Sequence, residues 1–467
     1  MSANDERRIE RDSLGERAVP AHALYGVQTQ RAVENFPISG QPMPARLVRA
    51  VALIKRAAAE VNADLGVLDR PRALAIAEAA QRIVAGEHAD QFPVDVYQTG
   101  SGTSTNMNVN EVVARLAADR SGLAIHPNDH VNRCQSSNDT MPTAIHLAVV
   151  EALDTELTPA LGHLAETIAE RAALLDHVVK TGRTHLMDAM PVTMGQEFRA
   201  WEGQVRAALE RLGTRREALL AVPQGGTAVG TGVMAHPEFA RRIAERLSEL
   251  TRRPVRPLAD PSLGIGSQEA LVDASGGLKT YAVALMKIAN DLRWMNSGPS
   301  AGLAEIQLPA LQPGSSIMPG KVNPVLPEAA CMVAAQVIGL DSANTVAGQS
   351  GAFQLNVMLP LLGHNLLHAC TLLANVSRRL ADDVIAGLAV DQDRVQEPLL
   401  RNPILVTAIV PLVGYEQAAA IAKRAYAENR AVAEIAAEVT GRPLSELAPL
   451  LDPRRLTQPE WPNPDAD

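Results

Sequence analysis

Apolar residues recur at every third or fourth position along most of this chain, and that spacing restricts it to a fold built mainly from helices. Between positions 197 and 221 the apolar stripe consists of Phe198, Trp201, Val205, Leu209 and Leu212. Similar patterns predict further helices at 45–64, 142–174, 236–250, 270–295, 328–347, 357–388 and 416–438. Strand-like runs rich in β-branched residues are short and few. Because only 3% of the residues are aromatic while alanine and leucine are abundant, we expect closely packed helices in a mainly α protein.

The bulk composition excludes several classes of function. The net charge of −9 is mild for 467 residues and offers no basic footprint for nucleic acid or an anionic membrane. The three cysteines, Cys134, Cys331 and Cys370, are odd in number and widely spaced, which indicates a reducing compartment rather than a disulfide framework. The charged N-terminus does not resemble a signal peptide, and no run of eighteen apolar residues exists. We therefore expect a cytoplasmic protein without a transmembrane helix.

The length of the chain predicts about three domains. Candidate boundaries are the loop near 121–135 and the break near 389–404, because the longest helical patterns lie between them. We predict an N-terminal, mostly helical domain at 1–135, a central long-helix bundle at 136–390 and a small C-terminal helical domain at 391–467. Residues 457–467 are rich in proline and acidic side chains, so we expect a flexible tail there.

The stretch between residues 314 and 323 combines reactive side chains with residues that oppose a regular helix. It reads Gly-Ser-Ser-Ile-Met-Pro-Gly-Lys-Val-Asn, and its glycines and proline indicate a loop. Loops on a rigid scaffold carry a large share of catalytic residues. The side chains of Ser315, Ser316, Lys321 and Asn323 are suited to hold a carboxylate and to place a hydroxyl beside it. The alternative is an ordinary surface loop with a solvated lysine.

This stretch and three others resemble, in the same order, the signature segments of the fumarase/aspartase superfamily. The other three are Gly100–Glu111, His126–Asp139 and Gly182–Asp188, and the resemblance runs from about Asp12 to about Leu456. Enzymes of this superfamily eliminate water or an amine from a succinyl skeleton, usually releasing fumarate. The resemblance implies a three-domain fold whose central long helices assemble four subunits into a twenty-helix core. It also implies active sites built from three chains.

Elimination from a succinyl skeleton needs a base for a weakly acidic proton, donors for the resulting dianionic carboxylate, and an acid for the leaving group. By resemblance Ser315 is the base, and its hydroxyl must ionise, which requires nearby positive charge and amide donors. The resemblance also implies that His185 acts on the water or leaving hydroxyl and that Glu328 orients it. Taken alone, a single histidine is more often structural, and Glu328 is explained by a favourable charge in a first helical turn.

The resemblance further implies a set of residues around a small dicarboxylate. The set consists of Ser101, Gly102, Thr103, Ser136, Ser137, Asn138, Thr184, Ser316, Lys321, Val322 and Asn323. The short polar residues at 101–103 and 136–138 have an alternative explanation, because serine, threonine and asparagine are preferred at helix N-caps.

An accessory anion site is implied by the resemblance at His126, Pro127, Asn128 and Asp129. The histidines at 126 and 130 also raise the possibility of a metal site. Pro127 argues against a shared helical face, and no cysteine or carboxylate cluster supports such a site. We therefore predict no metal and no cofactor.

The Gly-rich run at 225–232 superficially resembles a nucleotide-binding loop. It lacks the Lys-Ser/Thr ending of a P-loop, and no strand is predicted before it. We expect a structural, site-lining role instead.

The Ser-Ser-Asn at 136–138 is typical of the fumarase branch, whereas aspartases have Ser-Thr-Asn. The resemblance therefore implies hydration of fumarate to malate, with ammonia elimination from aspartate as the alternative. Met234 stands where the family usually has asparagine, which bears on substrate preference. A retired lyase scaffold with a binding role is a further alternative, and the survival of Ser315, Lys321 and His185 argues against it.

Overall fold

The structure is a computed structural model that describes residues 6–459. Within this range the α-helices are α1 (Val27–Asn35), α2 (Ala45–Asp64), α3 (Arg70–Val84), α4 (Thr103–Ser121), α5 (Ser137–Ala152), α6 (Thr158–Leu174), α7 (Met194–Leu219), α8 (Phe239–Thr251), α9 (Pro261–Gly266), α10 (Glu269–Met295), α11 (Val325–Gly348), α12 (Leu359–Leu380), α13 (Gln392–Arg401), α14 (Val410–Val413), α15 (Tyr415–Glu428), α16 (Val432–Thr440) and α17 (Leu444–Leu447). The prediction of a mainly α protein is confirmed.

The strands are short and form two-stranded sheets. They are β1 (Arg7–Asp12), β2 (Gly15–Pro20), β3 (Val179–Thr184), β4 (Met187–Thr193), β5 (Ala221–Val222), β6 (Arg256–Pro257), β7 (Ile306–Gln307), β8 (Gly351–Ala352), β9 (Leu355–Asn356) and β10 (Ala389–Val390). β1 pairs with β2, β3 with β4, β7 with β10 and β8 with β9, all antiparallel, whereas β5 and β6 are parallel. The sheets support loops and turns, and the bulk of the core is helical.

One compact unit comprises the described residues up to Pro159 together with Ala208–Ala282 and Ala335–Ala374. Its centre is α2, which packs against α3, α5 and α8. The apolar stripe of α2 supplies Val51 and Ile54, which are fully buried with Ile145 of α5. Burial of such stripes is the main source of stability for long helices.

The second compact unit comprises Ala160–Ala207, Val283–Ala334 and the described residues from Asn375 onward. In this unit Trp201 stacks on Phe198 with ring centroids 4.5 Å apart and donates its indole N–H to Asp291 at 3.1 Å. A smaller apolar cluster near the C-terminal end contains Leu405, Ile409, Ile421, Ile435 and Leu447.

Several helix predictions agree closely with the structure, and one is wrong. α2 spans the predicted residues, whereas the single helix predicted at 416–438 is wrong, because α15 and α16 are separate helices. Asn429 caps α15 with a left-handed backbone (φ 51°), which asparagine tolerates better than most residues. Periodicity also missed α4, because its buried positions include Asn106, Asn108 and Asn110 in place of apolar side chains.

The three-domain division predicted from the sequence stays a prediction. The boundaries of the two compact units fall inside helices α6, α7, α10, α11 and α12. The boundaries of the predicted domains were instead placed at breaks between helical patterns, so the two divisions differ in kind. Of the tail predicted to be flexible at 457–467, Thr457 is the last residue of a short 3₁₀ turn, Arg455–Thr457, and 460–467 lie outside the described residues.

Among the described helices, α11 is long and apolar enough, by length and composition alone, to cross a membrane. Packed helices of globular proteins often meet the same criterion. Two polar residues of α11 are buried and paired, because Asp341 binds Lys279 at 2.6 Å and Asn344 accepts from Asn365 at 3.0 Å. These contacts tie the helix to α10 and α12.

Candidate active site

The loop between residues 314 and 323 closes on itself. The Gly314 amide donates to the Lys321 carbonyl at 2.7 Å, and Asn323 Nδ2 donates to the Gly314 carbonyl at 2.8 Å. A Cβ at position 314 would lie 2.6 Å from that Lys321 oxygen, so only glycine fits. Gly320 has φ of 84°, which also favours glycine. The side chain of Asn323 therefore holds the loop closed.

The hydroxyl of Ser315 lies inside this loop and faces backbone donors. Its Oγ accepts from the amides of Ile317 at 3.2 Å and Met318 at 3.1 Å. Two preorganised N–H groups stabilise negative charge on an oxygen, which is what ionisation of a serine requires. Lys321 and Ser316 are exposed, and within the described chain the Lys321 ammonium forms no hydrogen bond or ion pair. That ammonium is available for an anion.

Directly after the loop, α11 begins at Val325, three residues before the predicted start. Pro327 is compatible with this earlier start, because the first-turn amides of a helix have no partner within the helix. Glu328 then lies in the first turn, where its charge favours the helix. A cavity of about 1180 Å³ is lined in part by Lys321, Val322, Asn323 and Glu328.

His185 lies at the tip of the β3–β4 hairpin. Thr184 pairs with Met187, so His185 and Leu186 form a two-residue turn, with φ of 57° and 61°. Such turns require left-handed backbone and usually contain asparagine or glycine. Left-handed backbone at other residue types is costly and concentrates at functional sites. Thr184 and His185 are both exposed at this tip.

The predicted pairing of His185 with Glu328 does not occur within one chain. Neither side chain forms a hydrogen bond or an ion pair with any described residue. The orientation of His185 by Glu328 therefore stays a prediction that requires a second subunit or bound substrate.

The stretches at 101–103 and 136–138 lie together in the first compact unit. Ser101 Oγ lies 2.8 Å from Thr103 Oγ1, which in turn lies 2.6 Å from Ser137 Oγ. Gly102 caps α4 with φ of 73°, and a Cβ there would lie 2.8 Å from Met141. The result is a row of three hydroxyls at the N-termini of α4 and α5, a location that favours anions.

Helix capping, the alternative explanation for 136–138, also holds. Ser136 Oγ accepts from the Asn138 amide at 3.2 Å, and Asp139 Oδ1 accepts from the Ser136 amide at 2.9 Å. This reciprocal pair is a capping box. It orients the start of α5 and leaves Ser137 directed at Thr103.

Asp139 is a residue that the sequence analysis did not single out. It is fully buried, and its Oδ2 accepts from the amides of Gly225 and Thr227, both at 2.9 Å. Burial raises the pKa of Asp139, although these backbone donors oppose the shift. Asn138 Nδ2 donates to the Ala228 carbonyl at 2.8 Å, so the Gly-rich run lies beside Asn138. The Ser-x-x-Asp spacing of a capping box was the available signal.

The Gly-rich run follows a strand, which corrects the sequence analysis. β5 ends at Val222, two residues before Gln224, and pairs with β6. A two-residue strand carries too little periodicity to be detected. The Lys-Ser/Thr ending of a P-loop is still absent from the sequence.

Lys55 is a second residue that the sequence analysis did not assign to the site. It is fully buried on α2, and its ammonium donates to Asn132 Oδ1 at 2.9 Å and Gln135 Oε1 at 3.0 Å. Burial lowers the pKa of Lys55 to about 7, while the charge of Asp139 opposes the shift. The bonds fix the segment directly before Ser136. The feature of the sequence that could have identified Lys55 was a lysine within an otherwise apolar stripe of a predicted helix.

Comparison with known proteins decides the family. A family model described as lyase matches residues 15–339, and one described as the fumarase C C-terminus matches residues 405–458. The chain is 58% identical over 458 residues to fumarate hydratase class II of Xylella fastidiosa strain 9a5c, covering 98% of this chain and 97% of that protein. The chain belongs to the class II fumarate hydratase family.

Two further relatives agree with this membership. Fumarate hydratase class II 2 of Pseudomonas aeruginosa is 58% identical over 452 residues, which cover 97% of this chain and 99% of that protein. The crystal structure of a class II fumarase from Schistosoma mansoni matches with a TM-score of 0.94 at 34% identity, covering 97% of this chain and 99% of that chain. The mainly α fumarase/aspartase fold of the single chain is thereby confirmed.

In this member of the class II fumarate hydratase family, the predicted accessory anion site lies on a partly exposed π-helical turn, Pro127–Val131, which His126 caps. His126 Nδ1 lies 3.2 Å from the Asp129 carboxylate, and His130 Nδ1 accepts from the His126 amide at 2.8 Å. Burial and the charge of Arg72 lower the pKa of His130. Across residues 6–459, no three His, Cys, Asp or Glu side chains are grouped so that they could hold a metal ion.

Met234, the departure from the usual family asparagine, lies in the loop after the Gly-rich run. Its side chain is 82% exposed, and its backbone is left-handed with φ of 65°. A left-handed backbone suits asparagine better than methionine. The usual family residue is therefore the one that this backbone favours.

Proposed function

We propose that this protein catalyses the reversible hydration of fumarate to L-malate without a cofactor. The observation that carries the proposal is that the Ser315 hydroxyl accepts hydrogen bonds from two backbone amides. The same loop also presents the unpaired ammonium of Lys321. The curated relatives that match nearly the whole chain are named fumarate hydratases.

In the malate-to-fumarate direction, the Ser315 alkoxide takes a proton from the carbon next to a carboxylate. The electron pair moves onto that carboxylate and gives a dianion, which Lys321 stabilises through its positive charge. The C–O bond to the leaving hydroxyl then breaks, and His185 supplies the proton that converts the hydroxyl to water. The reverse sequence adds water to fumarate.

The row of hydroxyls at Ser101, Thr103 and Ser137, with the amide of Asn138, is proposed to bind the dicarboxylate. These groups are neutral, so they act as hydrogen-bond donors at the positive ends of two helices. Neutral donors bind a carboxylate without placing a cation in the site. After product release, no unpaired positive charge then remains there.

Ammonia elimination from aspartate is the second candidate and is not favoured, because the matched relatives are named as hydratases. The test follows the ultraviolet absorbance of fumarate's conjugated double bond after adding L-malate or L-aspartate. We expect absorbance to rise with malate alone. A rise with aspartate alone, with release of ammonia, would contradict the proposal.

We propose further that the protein assembles as a homotetramer with active sites shared between subunits. Only 28% of the most apolar stretch of α11 is buried within one chain. Most of this apolar surface is therefore exposed and available for contact with another subunit. Leu186 and Met187, beside His185, are 65% and 69% exposed. Their burial against another subunit would bring His185 to partners that it lacks within one chain.

A cytoplasmic location and a role in the tricarboxylic acid cycle complete the proposal. All three cysteines are free thiols, and two of them are buried, which suits a reducing compartment. Fractionation of the source cells, with the activity measured in each fraction, tests the location.

A further inference from the structure

A buried ionic network holds the hairpin that carries His185. The Lys180 ammonium of β3 lies 2.7 Å from Glu305 Oε2 and 2.9 Å from Glu197 Oε2. The Arg183 guanidinium lies 2.7 Å from the other oxygen, Glu305 Oε1. Both carboxylate oxygens of Glu305 are thus bound to cations of the same strand. Arg183 is two residues from His185.

The centre of the network lies in the protein interior. The side chains of Lys180 and Glu305 are 2% and 4% exposed. Burial alone would raise the pKa of Glu305, but the charge of Lys180 and the bonds from Arg183 outweigh burial and lower it. A buried carboxylate with two bound cations fixes their positions more firmly than a surface ion pair.

The backbone on either side of Glu305 lines the cavity that the 314–323 loop also lines. Its carbonyl accepts from the Asp391 amide at 3.1 Å, which extends the β7–β10 pairing by one bond. The neighbours of Glu305, Ala304 and Ile306, line the same cavity as Lys321. The side chain of Glu305 thus binds the hairpin, while the adjacent backbone forms a wall of the cavity.

We propose that Glu305 is a positioning residue, which fixes the β3–β4 hairpin against the cavity wall and so sets where His185 is held for proton transfer. This inference rests on the proposed hydratase function. Glu305 contacts neither His185 nor the proposed reacting atoms, and it acts through Lys180 and Arg183. A displacement of about 1 Å in a catalytic group costs about a hundredfold in rate.

The test is a double-mutant cycle on malate dehydration. We expect Glu305→Gln to lower kcat by about ten- to a hundredfold while KM changes by less than about threefold. In a His185→Asn background the same substitution should change kcat by less than about twofold, because the group that it positions is gone. Equal losses in both backgrounds would overturn the inference, as would an unchanged kcat for Glu305→Gln.

Asp154→Asn is the matched control. Asp154 bridges the guanidinium groups of Arg216 and Arg253 at 2.6 Å each, in the compact unit that does not contain the hairpin. We expect its kcat to stay within about twofold of wild type, and a loss matching that of Glu305→Gln would contradict a specific role for Glu305.

Two outcomes separate failure of this inference from failure of the proposed function. An inactive wild-type protein contradicts the proposed function, whereas an active wild type with unaffected variants contradicts the inference alone. If Glu305→Gln does not fold, Arg183→Lys takes its place in the double-mutant cycle. This change keeps the positive charge and removes the planar set of guanidinium donors. We expect Arg183→Lys to lower kcat by at least about threefold only when His185 is present.

Discussion

At the scale of single residues, backbone amides are the donors that face two oxygen-bearing side chains of the candidate site. Two amides face the Ser315 hydroxyl, and two amides of the Gly-rich run face the Asp139 carboxylate. Such donors are fixed by the fold, so they need no reorganisation when negative charge develops. Charged side chains contribute differently, because Lys55 is buried and structural whereas Lys321 is exposed and available.

Replacing Ser315 by alanine removes the proposed base and leaves the loop closed by its Gly314–Lys321 bond. We expect kcat for malate dehydration to fall by about 10²–10⁴-fold with assembly unchanged. Steady-state kinetics and size-exclusion chromatography with light scattering measure both. Ser342→Ala, an exposed serine on α11, is the control and should retain wild-type rate. A Ser315→Ala variant as fast as the control would exclude Ser315 as the base.

Lys55 gives the protein a distinct pH dependence of stability. Its pKa falls from 10.5 to about 7 on folding, so between these values the unfolded chain binds a proton that the folded chain does not. The free energy of unfolding should therefore rise with pH in that window, by up to ~1.4 kcal/mol per pH unit, and this contribution should be constant below about pH 7.

The measurement is urea unfolding at several pH values between 7 and 10 for wild type and Lys55→Met. We expect the difference in unfolding free energy between the two proteins to change with pH in this window. Lys423→Met, at an exposed lysine, is the control and should leave the wild-type slope unchanged. Parallel pH dependences for wild type and Lys55→Met would refute the assignment.

At the scale of elements, the site residues lie at ends and turns rather than on helix faces. α4 begins at Thr103, α5 at Ser137, and α11 follows the closed loop. First-turn amides lack partners within the helix, so these ends supply donors and positive potential. His185 occupies the two-residue turn of a hairpin, where side chains project beyond the sheet.

Asp139→Asn tests whether the start of α5 and the Gly-rich run are held together by one carboxylate. An amide cannot accept on both atoms, so either the bond from Ser136 or the two bonds from Gly225 and Thr227 are lost. We expect unfolding free energy to fall by about 1–3 kcal/mol. KM for malate should rise by about tenfold, because Ser137 and Asn138 lose their support.

Asp95→Asn is the matched control, since Asp95 also accepts from backbone amides, those of Ser39, Gly40 and Tyr97. It should lose stability without a comparable rise in KM. Urea unfolding and steady-state kinetics on both variants supply the two readouts. If KM rises equally in both, loss of stability rather than position explains the effect.

At the scale of the whole molecule, much apolar surface is exposed on a single chain. The long helices contribute Val283, Trp294, Met332 and Val346, which are 55%, 54%, 67% and 52% exposed. Large exposed apolar patches mark sites of association. The proposed assembly would also supply partners to the exposed hairpin tip and to Lys321, whose ammonium has none among the described residues.

Met332→Glu on α11 places a charge on this surface. Burying an unpaired carboxylate in an interface is strongly unfavourable, so we expect the proposed tetramer to dissociate and malate dehydration to fall by at least about tenfold. Analytical ultracentrifugation and kinetics measure these effects. Leu74→Glu, at a residue 62% exposed on α3, should leave assembly and activity unchanged. A tetrameric, fully active Met332→Glu variant would contradict the proposed interface.

The sequence by itself determined the helical class and most of the long helices. Apolar spacing is a local property, and it located α2 and α10 to within a residue or so. Apolar spacing failed to predict α4, because several of the buried positions of that helix carry asparagine instead of an apolar side chain. The loop at 314–323 was also predicted, because glycine and proline act locally, whereas its closure by Asn323 and the amide donors to Ser315 came from the structure.

Only the tertiary structure decided which distant segments meet. The bond between Thr103 and Ser137, the amides of the Gly-rich run on Asp139, and the hold of Lys55 on Asn132 join residues far apart in the chain. Glu305 meets Lys180 for the same reason. Sequence spacing carries no information on such contacts, because they depend on how helices pack in three dimensions and on how much water packing excludes.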